Sequence, residues 1–364
     1  GEAFRRQYVD QAHLLPGCYE AKGSVVARST AMQRTVQSCQ GFLRGFCGAA
    51  RAAAGFTTSY TAAADGKDSV GGGGNGHGNG HGDDAAAIRI LVETGEHSLL
   101  PNFGFIRSKC PALMDQYSKM MRTSAAIARD DAAVKPVINA LAASLPMLRS
   151  PRTPFQSMSI RAFDHFKCHS AHRLPTASGT EGMLLPLKAW ASSHFYRYYE
   201  RSHGLMTSFV LGSVLSRMRR VAIDRDVSAP KICLYSGHDT TIMPLLLSLG
   251  VVDPETAGDA GAWPPYSAHI RVELLQKLEP NMMREEDEER EVKVGEEFAV
   301  RVVYNGNVVV PGGTVSTNTG AASLSGFERH LKSLVEAYHG GDGDLSTACE
   351  STSASLQNPF QDAR

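Results

Sequence analysis

The sequence predicts an α/β protein, a sheet core with a helical subdomain inserted into it. Three observations carry this reading. The short apolar runs Val25-Val26-Ala27, Ile88 to Val92 and Ile232-Cys233-Leu234-Tyr235 have the length and composition of buried strands. After the first run, Met32, Val36, Cys39, Leu43 and Phe46 recur at steps of three and four, which puts them on one face of a helix. Two helical blocks, Cys110 to about Met147 and Gly182 to Arg220, stand between the second and third strands.

Taken in order, residues Gly1 to Tyr19 read as a helix end and a connector. Arg28 is expected to end the first strand, and Ser29 or Thr30 to cap the helix that follows. From Ala49 to Ala87 the composition falls to Ala, Gly, Ser and Asp, with too little apolar surface to offset chain entropy, so a disordered insertion is expected. Its His77 and His81 sit in a glycine repeat that offers no preorganised geometry for a metal. Pro146, Pro151 and Pro154 break the first helical block. The third strand leads through the turn Ser236-Gly237 to His238-Asp239 and a helix-like run from Thr240 to Leu249. Ile270 to Leu274 and Phe298 to Tyr304 alternate as strands. Arg284 to Glu297, with eight acids and three bases, reads as a solvated loop. The expected plan is an α/β core at 1–48 and 88–108, the insertion at 49–87, a helical cap at 109–225, the second part of the core at 226–340 and a polar tail at 341–364.

Composition narrows the function classes. The 364 residues carry 37 Lys and Arg against 37 Asp and Glu, so no basic excess points to nucleic acid. The longest strongly apolar stretch, Ile242 to Val252, is interrupted by Pro244, Ser248 and Gly250 and falls short of the roughly 20 residues of a membrane helix. No secretion signal is visible at the start. The chain lacks an initiator Met and opens in a helix-like pattern, so residues upstream of Gly1 are expected. Seven cysteines, at 18, 39, 47, 110, 168, 233 and 349, form no close pairs of the zinc-site kind, and burial as small hydrophobes is expected for most of them.

Two strand ends hold the groups with chemistry. Arg28 follows one apolar run, and His238 and Asp239 follow another across a glycine turn. Ligands of parallel α/β sheets bind at the carboxyl ends of strands, near helix N-termini that favour anions. A guanidinium fork for phosphate oxygens, an imidazole donor for a developing oxyanion and a carboxyl proton donor together suit a phosphate ester. Competing chemistries find no motif: there is no Gly-x-Ser-x-Gly elbow, no Gly-x-x-x-x-Gly-Lys-Ser/Thr loop, and no cysteine followed six residues later by arginine. Asp224-Arg225-Asp226 imitates an aspartyl nucleophile pair, but it follows a basic helix end and reads as a polar linker.

These residues carry a resemblance. Leu234-Tyr235-Ser236-Gly237-His238-Asp239-Thr240-Thr241-Ile242 resembles the His-Asp block of the histidine acid phosphatases. Val26-Ala27-Arg28-Ser29-Thr30 with Arg34-Thr35 and Ser38 resembles their Arg-Ser-Thr block, and Trp263-Pro264-Pro265-Tyr266 leading to Glu273-Leu274 a third segment. Lys109-Cys110-Pro111, Asp164 with Ala171 to Pro175, and Tyr304-Asn305-Gly306 are most similar to the lysophosphatidic acid phosphatase branch. The resemblance implies a phosphoglycerate-mutase-like sheet core with an inserted helical cap, and a reaction in which a histidine attacks the ester, an aspartate protonates the leaving alcohol and water hydrolyses the phosphohistidine. It implies no metal and no cofactor. It assigns His238 as the oxyanion-stabilising histidine, Asp239 as the proton donor, Arg28 and His238 as phosphate ligands, and His172 to the substrate entrance. The partner it implies is a phosphate ester, with a lysophospholipid as the specific expectation, in a secretory, lysosomal or mitochondrial setting. One departure matters: the family's nucleophile lies in an Arg-His-Gly motif, and no Arg-His-Gly occurs in the 364 residues. His13 lacks arginine neighbours, and His203 falls among the cap helices. The first strand of the sheet is expected to be absent with the motif. The favoured expectation is a fragment of a working phosphatase, and the alternative a catalytically inactive phosphate-binding or scaffold member.

Overall fold

Strand β1, Val25–Thr30, pairs in parallel with β3, Arg89–Glu93, on one side and with β4, Ile232–Ser236, on the other. A further strand, β2, Thr57–Tyr60, pairs in parallel with β3, which gives the unbroken order β2-β3-β1-β4. The registers Ala27↔Ile90 and Ala27↔Leu234 set the middle of the sheet. The protein is described here by a computed structural model covering residues 1–15, 24–48, 57–60, 88–93, 122–145, 155–176, 180, 182–200, 202–252, 263–277, 297–311 and 320–336. The chain divides into two units, Gly1–Lys109 with Gly212–His238, and Cys110–Leu211 with Asp239–Asp362.

In the first unit the parallel sheet is backed by helix α2, Gln33–Cys47, whose periodic apolar residues do what their spacing predicts. Cys39, Leu43 and Phe46 are buried with Val25, Ala27, Ile90 and Val92 in one core. The short helix α1, Glu2–Arg5, and a π-helical turn, Arg6–Gln11, precede β1. Arg5 Nη1 donates to the carbonyls of Phe46 and Cys47 at 3.3 and 3.1 Å, satisfying the last carbonyls of α2 with a cation at its negative end. Phe4 meets Phe42 edge to face, ring centroids 5.1 Å apart.

Three expectations change here. β1 does not end at Arg28 but runs to Thr30, because its ladder continues to Thr30↔Glu93. Ser29 and Thr30 are therefore strand residues, and Met32 occupies the N-cap of α2 with no side-chain bond. Inside the stretch expected to be disordered, Thr57–Tyr60 forms a strand, since β-branched and aromatic residues suit the edge that β3 offers. The rest of that stretch, His77 and His81 included, lies outside the described residues, as do the acidic segment up to residue 296, the polar tail, and Cys18, Cys110 and Cys349. Cys39 and Cys47 are buried and Cys233 half-buried, whereas Cys168 is exposed. Burial pushes the Cys39 thiol up to about 12, so it stays a thiol.

The second unit holds α3, Ala125–Ser144, α4, Phe155–Ala171, α5, Leu184–Glu200, the start of α6, His203–Ala222, α7, Asp239–Ser248, and α8, Leu324–Glu336. With them is an antiparallel sheet in which β6, Phe298–Tyr304, pairs with β5, Ile270–Gln276, along one edge and with β7, Asn307–Val309, and β8, Ala322–Ser323, along the other. Ser124 caps α3, accepting from Ile127 N at 3.3 Å. Helix α4 was not foreseen beyond the proline break, and the expected block from Gly182 to Arg220 is two helices, α5 and α6. α5 packs against α3, α4 and α7. Gly204 lets α6 approach α8, since a Cβ there would lie 2.5 Å from the Leu334 carbonyl oxygen. Among the described residues no helix is long and apolar enough to cross a membrane.

Candidate active site

The first group of residues belongs to the first unit and collects at the carboxyl ends of parallel strands. Thr30 ends β1, Glu93 ends β3, Ser236 ends β4, and His238 follows two residues later. Arg28 and Thr30 are two residues apart on β1 and therefore share a face of the sheet. Arg28 Nη1 donates to Glu93 Oε1 at 3.1 Å, and the two side chains are 15% and 2% exposed, so the ion pair is largely shielded from water. Thr30 Oγ1 lies 3.0 Å from His238 Nε2 and 2.8 Å from Thr35 Oγ1. Thr35 sits in the first turn of α2 and donates to Met32 O at 2.8 Å and Thr30 O at 3.0 Å. Ser236 Oγ donates to Thr35 O at 2.8 Å, tying the end of β4 to the start of α2. Arg34, exposed on that first turn, brings Nη2 to 3.4 Å from His238 Nδ1. The carboxyl end of the sheet, with the first turn of α2, thus gathers two guanidinium groups and an imidazole, the inventory that recognises a phosphate dianion.

The second group belongs to the second unit and surrounds Asp239, the first residue of α7. Its Oδ1 accepts from Thr240 N at 3.0 Å, as an acidic residue at a helix N-terminus commonly does. Its Oδ2 accepts from Lys167 Nζ at 3.0 Å and from Trp263 Nε1 at 3.2 Å. Lys167, from α4, lies over aromatic faces, 4.8 Å from the Tyr266 centroid and 5.1 Å from that of Trp263. The Trp263 ring is itself held edge-on between Phe163, at 4.7 Å, and Phe195, at 5.3 Å. All three partners donate, so the Asp239 carboxyl is held as an acceptor through both oxygens at the start of α7.

Arg28 and His238 are thus both held at the carboxyl end of the first sheet, and Asp239 is bound by Lys167 of the cap, which the sequence did not single out, and by Trp263 of the third quoted segment. His172 is exposed in the turn that closes α4, and it is Lys167 of that helix that reaches Asp239. His203 is not near the first group: its Nδ1 bonds Ser248 Oγ at 2.9 Å, at the end of α7. Asp226 of the aspartyl look-alike is bound by Ser228 N and Oγ and by Arg220 in a turn after α6; those hydrogen bonds, Ser228 first, hold its carboxyl below the usual range. The residues that sequence reasoning missed are Glu93, Lys167 and the roles of Thr30, Thr35 and Trp263. Glu93 closes an apolar strand run as Arg28 does, so the same signal applied to it; Lys167 on a polar helix had none.

A family model described as the histidine phosphatase superfamily (branch 2) matches residues 1–305. Lysophosphatidic acid phosphatase type 6 from Pongo abelii and from Homo sapiens are each 32% identical over 83 residues, 23% of this chain and 14% of those proteins. The aligned stretch therefore spans a small part of their length. The phytase from D. castellii shares the fold with a TM-score of 0.53 at 15% identity, over 97% of this chain and 65% of that one. A Klebsiella phytase does so with a TM-score of 0.53 at 14% identity, over 92% and 82%.

Proposed function

The chain belongs to branch 2 of the histidine phosphatase superfamily, and from that membership we propose that it carries part of the active site of a phosphate monoester hydrolase working through a phosphohistidine intermediate. The family match over residues 1–305 is the observation that carries the reading. In it, the phosphate rests against Arg28 and His238, the ester P–O bond breaks as a histidine nitrogen bonds to phosphorus, and Asp239 gives its proton to the leaving alkoxide. Water then attacks the phosphohistidine, releasing phosphate and regenerating the imidazole. The attacking histidine is not among the 364 residues if it must lie in an Arg-His-Gly motif, because none occurs. We further propose lysophosphatidic acid as the ester, supported by the curated relatives and by the aromatic side chains grouped with Lys167 near Asp239, Phe163 of the cap with Trp263 and Tyr266.

The test compares the 364-residue chain with a longer gene product that carries an Arg-His-Gly segment, using an aryl phosphate. The chain alone is expected to show near-background turnover, and the longer product to turn over and to trap phosphate on histidine. Asp239→Asn in that product should lower kcat by about 10²–10⁴ on poor leaving groups, where the alkoxide needs its proton. Robust turnover by the chain alone would reassign the nucleophile. No turnover by any longer product would leave the second reading, a phosphate-binding family member without catalysis. Lysophosphatidate should exceed a sugar phosphate and phosphotyrosine in kcat/KM; the reverse order removes the lipid from the reading.

A further inference from the structure

Groups that have no choice of direction fix the hydrogen-bond polarity around His238. A guanidinium only donates, so Arg34 Nη2, 3.4 Å away, makes His238 Nδ1 an acceptor. The other edge of the ring gives the same answer by a separate route. Thr35 has one hydroxyl proton, and backbone carbonyls at 2.8 and 3.0 Å take it. Thr35 Oγ1 therefore meets Thr30 Oγ1 with a lone pair across 2.8 Å, and Thr30 donates its own proton to Thr35. Thr30 has then only a lone pair to show the imidazole 3.0 Å away, so His238 Nε2 is the donor. Both routes give one neutral tautomer, with the proton on Nε2.

We propose that Thr30 and Thr35 are positioning residues that lock neutral His238 as the Nε2–H tautomer and so make Nδ1 the ring atom that meets phosphate. Thr30 is buried and Arg34 exposed, so the Nε2 edge is turned inward and the Nδ1 edge outward. The identity of the ligand rests on the phosphatase reading; the tautomer does not. Nδ1 holds a lone pair in the locked state, so it donates to a phosphate oxygen only after taking a proton, from a phosphate monoanion or from solvent, while Nε2–H stays on Thr30. The contact is then charge-assisted, with the imidazolium as donor.

The experiment uses the full 364-residue chain labelled with ¹⁵N. Long-range proton–nitrogen correlation spectra are recorded about two pH units above the ordinary imidazole value, where a free ring is neutral. His238→Gln assigns the ring by the signals it removes. The wild-type spectrum should show a pyrrole-type Nε2 and a pyridine-type Nδ1. Each threonine variant also carries Arg34→Met, which removes the other donor to the ring and alone should keep that pattern; with it, Thr30→Ser should keep the pattern and Thr30→Val should move both nitrogens toward averaged values. Thr35→Val, which frees the Thr30 proton to turn to the ring, should shift Nε2 toward the pyridine type. A proton on Nδ1 in the wild type, or a folded Thr35→Val chain with wild-type shifts, overturns the proposal. Added inorganic phosphate should move Nδ1 to the imidazolium position with Nε2 still protonated; loss of the Nε2–H signal instead also overturns it. A locked ring that ignores phosphate supports the tautomer assignment and counts against the phosphatase reading beneath it.

Discussion

Arg28 and Glu93 meet as opposite charges where little water reaches them. Taking either charge out of water costs several kcal/mol, a cost offset only by the partner and by further hydrogen bonds. Removing one member is therefore far worse than the pair's net worth. Glu93→Ala should lower the unfolding free energy by about 3–5 kcal/mol in a denaturant titration, and Glu93→Gln, which keeps an acceptor for Nη1, by less. A loss under about 1 kcal/mol in both variants would mean that the pair behaves as an exposed one. Under the proposed phosphate role of Arg28, the same variants should raise the Kd for inorganic phosphate in a titration, because the guanidinium loses the carboxylate that sets its direction. The partnership was not legible in advance: 65 positions separate the two residues, and no local period joins them. Thr30 was nearer to legible, since two steps along a strand return to the same face, but the expected strand end at Arg28 hid it.

At the scale of elements, the helices of the second unit are pinned by neutral imidazoles. His194 of α5 lies against the Trp190 ring, 4.8 Å between centroids, and burial holds it down to about 4 against the upward pull of Asp131 and Asp130. His203 of α6 is likewise lowered to about 4, by burial first and by His330 second. His203 and Thr207 both reach Ser248 Oγ, and His330 Nε2 donates to the Ser248 carbonyl at 2.7 Å, so α6, α7 and α8 meet at one serine. Above the ordinary imidazole value of about 6.5 both rings are neutral whether the chain is folded or not. As pH falls below it, the unfolded chain takes up protons that the folded one refuses, and stability declines until about pH 4, where the folded rings protonate too. Each ring accounts for at most about 3 kcal/mol of that decline. Urea midpoints between about pH 7 and 4.5 should fall steeply in the wild type and less steeply in His203→Gln; equal slopes would remove His203 from the account. Helix α4 shows why one element escaped the sequence reading. In the sequence, three prolines stand shortly before Phe155 and read only as breaks, although proline occurs at helix starts as well as ends. β2 escaped because four residues that suit a strand were averaged into a long Ala- and Gly-rich window.

For the molecule as a whole, what the sequence revealed was what lies next to a strand end. Arg28, His238 and Asp239 each border an apolar run, and their block spacing carried the family resemblance. What it concealed was contact across distance: Lys167 meets Asp239 from 72 positions away, on a helix whose polar residues have no distinguishing pattern. The runs of β1, β3 and β4 were legible because they are apolar at nearly every position, as strands of a parallel sheet are. β6, expected to alternate, instead buries its first six positions but for Arg301 and leaves only that residue and Tyr304 half-buried. One feature of the second unit has an optical meaning. The chain has two tryptophans; Trp190 donates to Asp131 at 2.8 Å, and Trp263 donates to Asp239. Excitation moves electron density in indole from the pyrrole ring toward the benzene ring, so a carboxylate at Nε1 stabilises the excited state and reddens its emission. With Trp190→Phe as background, Asp239→Asn should shift the remaining emission to the blue, and an unchanged spectrum would mean that the indole does not sense that carboxylate. The protein is thus built with its own fluorophore hydrogen-bonded to the Asp239 carboxyl, and a change at that carboxyl can be watched as a colour change, without any label and without turnover.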